Sequence, residues 1–235
     1  MWHLPKLRNE LVTISLAPKK ISCSWLTTTT KDNRRYILKA FEEKPLHHLE
    51  YEQSAINNSQ MLGAHITKFL KRHKLVDPYI SCSISGSQII ESLIDLPIAS
   101  PKITDFPFPK LHKTIWNYRY LYPKDNAYFT FYLCGIPRHI LFQHQLFAVK
   151  HQLNLTALTT ERMALLSLYK KTRGLIFRAS QFAQDMQQNN NELHTLFSAD
   201  SIRRIMTISP SVQLPNEITP LSIALGLFII GIEQS

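Results

Sequence analysis

Residues 11–16 (LVTISL) alternate in part between branched apolar and hydroxyl side chains, the period of a strand. Pro18-Lys19-Lys20 interrupts the run. Residues 21–29 and 34–41 then predict two further strands, with Lys31-Asp32-Asn33 as the turn between them. The opening therefore predicts a three-stranded antiparallel meander. The period changes at Met61: Leu62, His65, Ile66, Phe69 and Leu70 recur every three or four positions and predict a helix. Lys68, Lys71, Arg72, His73 and Lys74 crowd its last turns, where the helix dipole favours cations. Residues 79–85 and 88–96 predict two strands joined as a hairpin at Gly86-Ser87, and Pro97 ends the second.

Pro101, Pro107 and Pro109 mark residues 100–109 as a linker or extended edge. Residues 113–121 and 128–133 follow as a hairpin dense in aromatics. Alternation puts Trp116, Tyr118 and Tyr120 on one face and Ile115, Arg119 and Leu121 on the other. A helix opens at Pro137, with Ile140, Leu141, His144, Phe147, Ala148 and His151 along one stripe. Residues 153–158 predict a strand, and Thr159 or Thr160 caps a helix running to Tyr169. Residues 174–179 suit one more strand, residues 181–191 a helix end running into an exposed loop, and residues 201–207 are ambiguous. Residues 220–230 predict an apolar closing helix. Strands and helices intermix, which indicates an α+β or mixed α/β class.

Composition narrows the chemistry. The chain has 235 residues, 44% hydrophobic and 19% charged, which suits a packed globule. Its 6 glycines are dispersed and form no G-x-G, so standard P-loop and dinucleotide phosphate turns are excluded. The net charge of +10 is graded, +6 over residues 1–80, +3 over 81–160 and +1 over 161–235. A basic surface of this kind is simply solvated, or meets nucleic acid, anionic lipid or acidic protein. Cys23, Cys82 and Cys134 lie far apart and read as reduced, buried thiols, with no zinc-type spacing. The longest apolar stretch, residues 221–232, is shorter than the roughly 20 residues a bilayer span needs. A soluble, cytoplasmic protein is expected.

No catalytic or metal constellation stands out. His144 and His151 share a helix face but are seven apart, which is not a metal-ligand spacing. Ser87 follows Gly86 without the second glycine or strand–helix context of a nucleophile elbow. Cys134 lacks an oriented base. Glu42 and Glu43 point to opposite strand faces, and no carboxylate pair is evident. The aromatic strand is the best interaction candidate. Trp116 and Tyr118 interleaved with Arg119 suit stacking on single-stranded nucleic acid, a groove for an extended peptide, or the packed faces of a small sheet.

Several short motifs, in order, resemble the PilM-type actin-like pilus assembly proteins, and most nearly their shortened HofM-type (DNA-utilisation, competence) members. Residues 14–21 (ISLAPKKI) stand where that family has its first phosphate turn. Residues 79–97 are similar to its strand–Gly-Ser–strand–Leu-Pro segment, and Phe106-Pro107-Phe108-Pro109 to its I-P-F-P. Asn117-Tyr118, Ile136-Pro137-Arg138, residues 155–166 and residues 220–231 are similar to later family segments. The resemblance spans residues 9–170 and 218–231. It implies a truncated actin-like, ribonuclease-H-like core over residues 1–97, an inserted small α/β subdomain over 98–160, and over 161–235 a return helix, a shortened second-lobe remnant and a closing helix.

The phosphate turn is degenerate. Ser15 stands for the family's acidic residue and Ala17 for its glycine, beside Lys20, and most of the second lobe is missing. A metal-linked phosphate needs that carboxylate and close backbone approach. The implication is a non-enzymatic adaptor without cofactor or metal, peripheral to the inner membrane of a type IV pilus or DNA-uptake machine. Its partner would be the N-terminal peptide of a PilN-type membrane protein, met through Phe106, Phe108, Trp116, Tyr118 and Arg119. An anionic membrane surface is a further possible partner, nucleic acid a second choice, and a GspL-type secretion-system lobe the alternative within the fold.

Overall fold

The computed structural model describes residues 9–28, 36–107, 113–124, 127–171, 197, 199–215 and 217–233. Its centre is a six-stranded sheet. β1 (Glu10–Ala17) and β2 (Lys20–Thr28) form a hairpin around Pro18-Lys19, and β3 (Tyr36–Pro45) pairs antiparallel with β2. β6 (Tyr79–Ile84) runs parallel to β1, and β10 (Asn154–Thr160) parallel to β6. β11 (Met206–Ile208) adds a parallel edge beside β3, so the order is β10-β6-β1-β2-β3-β11. β1, β2 and β3 form the antiparallel meander expected from the residue pattern.

The alternation of β1, β2 and β6 decides what each face receives. Val12, Ile14, Leu16, Ile21, Cys23, Ile80 and Cys82 face α1 (Ser59–Arg72) and α2 (Arg138–Lys150) in one buried cluster with Leu62, Ile66, Phe69 and Phe147. Asn58 caps α1 by accepting from Met61 N at 3.1 Å. The opposite face carries Leu11 and Leu26 with a block of hydroxyls. Thr13 lies beside Ser24 and Ser81, and Ser15 beside Ser22 and Ser83. All six are buried. α3 (Glu161–Lys171) and α5 (Thr219–Glu233) cover this face, preceded by the short α4 (Ala199–Ile205).

Small side chains let α5 come close. A Cβ on Gly226 would stand 2.0 Å from the Ala164 carbonyl oxygen of α3, and one on Gly231 would stand 2.7 Å from Leu11 and 3.2 Å from Ser81. The apolar closing helix is thus a core helix wrapped on several sides. Among the described residues, no helix is long and apolar enough to cross a membrane.

A second sheet of three antiparallel strands has the order β7-β9-β8: β7 (Ile90–Leu96), β9 (Phe129–Pro137) and β8 (Thr114–Pro123). It draws β7 from ahead of residue 98, while β10 returns to the large sheet. This corrects the expected hairpin at Gly86-Ser87. β6 and β7 belong to different sheets, and Gly86 turns the chain from one to the other. Its φ of +140° suits glycine alone, and a Cβ there would meet Ser54 Oγ at 2.4 Å.

Ser54 tips a hairpin that the periodicity does not announce: β4 (Tyr51–Glu52) and β5 (Ala55–Ile56), with Gln53 and Ser54 both at positive φ. Residues 201–207, ambiguous in sequence, divide between α4 and β11. The expected turn at Lys31-Asp32-Asn33, the strand at 174–179 and the segment 181–191 lie outside the described residues.

Candidate functional site: a cleft at the carboxyl ends of the parallel strands

β1, β6 and β10 end together, with Leu16 beside Ile84 and Thr160 beside Ile84. Ligands of open α/β sheets bind outside such strand ends. A cavity of about 570 Å³ lies there. Its walls are the β1–β2 turn, the Ser85-Gly86 crossing, the start of β7, and the first turns of α3 and α5. Thr160 caps α3, its Oγ1 accepting from Met163 N at 3.3 Å, so that helix starts directly at the cavity.

The lining is a set of carboxylates already held by neighbours. Ser15 Oγ donates to Glu161 Oε1 at 2.7 Å. Arg162 Nη1 lies 3.2 Å from Glu91 Oε2, and the Tyr132 hydroxyl donates to Glu91 Oε1. Lys20 Nζ lies 3.2 Å from Glu43 and 3.7 Å from Glu217, and Ser22 Oγ donates to Glu43 at 3.2 Å. Glu161 is half-buried as a residue with its carboxyl enclosed. Burial raises its pKa above the usual carboxylate value and the negative charge of Glu91 adds to that, against the Ser15 hydrogen bond and Lys20. The enclosed Tyr132 hydroxyl is pushed well up by burial and by Glu91.

The structure brings Ser15, Ala17 and Lys20, the residues of the degenerate phosphate turn, to the same wall. The donor set does not suit a metal-linked phosphate. Ser15 supplies a hydroxyl that is spent on Glu161, Lys20 is engaged by two carboxylates, and Glu161 and Glu91 present negative charge to the space a phosphate would need. Glu91, the adjacent Glu161 and Arg162, and Glu217 escape sequence reasoning because they come from three separated stretches. Here lies a correction: a carboxylate pair does exist, Glu91 with Glu161, 70 positions apart in the chain. The sequence signal was only the cap, Thr160 followed by an acid in the first turn.

The aromatic candidates sort differently. Phe106 is buried, 4.9 Å from Tyr118 and 5.9 Å from Phe131 between ring centroids. Tyr118 donates its hydroxyl to the Pro101 carbonyl at 2.5 Å. Trp116 packs over Gly135, where a Cβ would stand 2.5 Å from its ring. Phe106 thus belongs to the small buried core of the three-stranded sheet, with Leu96, Phe131 and Leu133, and Trp116 and Tyr118 pack against that core half-buried. Arg119 is exposed, one position out of phase with Tyr118 along β8. Phe108 lies outside the described residues. The three thiols are buried, and burial pushes those of Cys23 and Cys134 up to about 12.

No family model matches the sequence, and no curated protein matches it. Solved structures do. A PilM–PilN type IV pilus biogenesis complex superposes with a TM-score of 0.54 at 12% identity, over 68% of this chain and 49% of that one. The cytoplasmic domain of EpsL, an inner-membrane component of the Vibrio cholerae type II secretion system, gives 0.41 at 10% identity over 66% and 57%. Thermus thermophilus RuvC gives 0.41 at 10% identity over 92% of each chain. The first likeness establishes the fold: a mixed α/β, actin-like core carrying an inserted small subdomain. The chain spans about half the length of that neighbour.

Proposed function

We propose that the chain is a non-enzymatic cytoplasmic adaptor of a type IV pilus or DNA-uptake complex, of the shortened HofM type. It docks the N-terminal segment of a PilN-type membrane protein and stays peripheral to the inner membrane through that partner. The observation that carries this reading is the shared fold with a protein solved as a PilM–PilN complex. The cleft supports the non-enzymatic half. Its carboxylates and its Ser15–Glu161 hydrogen bond favour a pseudo-ATPase remnant, because the groups at the degenerate phosphate turn are engaged with one another.

The test is a calorimetric titration of the full chain with the N-terminal cytoplasmic peptide of the membrane protein encoded beside it. A single-stranded oligonucleotide serves as the parallel ligand. Peptide binding at micromolar affinity or tighter is expected. Binding of the oligonucleotide alone, weakening steeply with salt, would move the function to nucleic-acid handling and leave the likeness one of fold only.

A further inference from the structure

α1 and α2 cover the same face of the large sheet, so their outer sides look the same way. α2 is anchored from beneath. Ile140, His144, Phe147 and Ala148 are buried, and the Gln143 side chain bonds both the N–H and the carbonyl of Ile56 at 3.0 and 2.8 Å. That leaves Phe142, Leu146 and Val149, at helical spacing, as an outward ridge. They are 59%, 51% and 75% exposed. Solitary exposed apolar residues are ordinary; three in register on one helix form a stripe left uncovered by the described residues.

The charges around the ridge have one sign. α1 and α2 together carry Lys68, Lys71, Arg72, Arg138 and Lys150 and no aspartate or glutamate. Of the acids near these helices, Glu42 is held by Arg72 and His73 and Glu50 by His65, while Glu52 at the β4–β5 hairpin is exposed. Lys68, Lys71 and Lys150 are exposed and in no salt bridge among the described residues. His151, at the end of α2, reaches Ser59 Oγ at 3.1 Å and closes over Gly63. It thereby joins the end of α2 to the lysine-bearing side of α1.

We propose that this α1–α2 face is a docking surface for an anionic lipid bilayer. Phe142, Leu146 and Val149 enter the boundary between headgroups and acyl chains while Lys68, Lys71 and Lys150 meet lipid phosphates. The three ridge side chains expose roughly 300 Å² of apolar surface. A narrow apolar stripe flanked by lysines is the pattern of interfacial membrane helices, whose binding combines modest apolar insertion with electrostatic attraction. The charge of the face excludes a basic partner, and a wide, shallow depression of about 730 Å³ on α1, lined by Lys68, Lys71, Arg72 and His151, offers its cations to phosphate-bearing headgroups. The inference does not depend on the peptide partner, since vesicles lacking that partner supply the whole site.

The test is co-sedimentation of the full chain with phosphatidylcholine vesicles and with vesicles containing about 30% phosphatidylglycerol, at about 50 and about 300 mM salt. Binding is expected only to the anionic vesicles, weakening at least about tenfold at the higher salt. Leu146→Glu and, separately, Lys68→Glu with Lys71→Glu are each expected to lower binding about tenfold or more, with unchanged circular dichroism and melting temperature. Because all three side chains are exposed, folding should survive. Failure to bind anionic vesicles at low salt, or binding unaffected by Leu146→Glu, overturns the proposal. A dimer seen in analytical ultracentrifugation without lipid and abolished by Leu146→Glu also overturns it, assigning the ridge to a second copy of the chain.

Discussion

The two faces of the six-stranded sheet solve the same packing problem with opposite materials. One is branched aliphatic side chains and two thiols beneath α1 and α2. The other sets Thr13, Ser15, Ser22, Ser24, Ser81 and Ser83 beneath an apolar α5. On the first face, stability comes from large side chains filling space. On the second it comes from absence of bulk, since hydroxyls and glycines admit α5 to the sheet and to α3. The hydroxyls of Thr13, Ser24, Ser81 and Ser83 have no partner among the described residues. The difference also separates roles. The hydroxyl face ends in the carboxylate-lined cleft, while the aliphatic face turns a basic, apolar-ridged exterior outward.

Truncation should expose this contrast most sharply. Phe69→Ala, on the aliphatic face, is expected to cost about 4 kcal/mol in urea or thermal unfolding, the usual range for a fully enclosed aromatic. Ser81→Ala, at an equally buried position on the other face, is expected to change stability by no more than about 1 kcal/mol and in the favourable direction, because it removes an unpartnered hydroxyl. Equal losses at the two positions would erase the distinction. Gly226→Ala should reverse the sign of the size effect. Adding one methyl group against the Ala164 carbonyl forces α3 and α5 apart and costs about 3 kcal/mol, readable in the same unfolding experiment.

Protonation gives each face its own pH signature. His144, under the aliphatic face, donates Nδ1–H to the Ile140 carbonyl at 2.8 Å and has Nε2 buried without a partner. Burial lowers its pKa to about 4, against a hydrogen bond that raises it. The folded state therefore resists the proton that the unfolded chain accepts near pH 6.5. Stability from this group is complete above pH 6.5 and is lost as pH falls toward about 4, on the order of 2–3 kcal/mol. His144→Phe should flatten unfolding free energy across that window. Glu161, at the cleft, behaves oppositely. Its raised pKa means that the folded state holds a proton the unfolded chain releases, so stability falls as pH rises through the carboxylate range. Glu161→Gln is expected to match the parent chain near pH 4 and to melt at a higher temperature at pH 7.5, the smallest of these effects.

Local periodicity carried most of the large sheet and its helices. The meander, the α1 stripe, the Thr160 cap and the buried stripe Ile140–His144–Phe147–Ala148 are each set by side chains a few positions apart. What was not legible is long-range. Gly86 looks like a hairpin turn because Gly-Ser between two strands usually is one. Only the partners of β7, some 40 residues later, reveal a crossing between sheets. The β4–β5 hairpin escaped because its turn uses Gln53 and Ser54 at positive φ in place of glycine, with Ser54 buried against Gly86 and Gln53 exposed.

The cleft was half visible. Ser15, Ala17 and Lys20 were identifiable by resemblance, whereas Glu91 and Glu161 meet only when β7 and α3 converge. The aromatic strand was recognisable as a cluster. Its packing was not, because whether Trp116 and Tyr118 face a ligand or Phe106 depends on how residues 101–106 fold back.

The most direct measurement of the account's central claim is the affinity of the full chain for the N-terminal peptide of the adjacent membrane protein, with and without ATP–Mg. An adaptor whose cleft is lined by carboxylates engaged with its own side chains binds the peptide with the same affinity in both conditions and shows no heat from ATP–Mg alone. Peptide affinity that rises or falls with ATP–Mg, or no peptide binding at all, would contradict it.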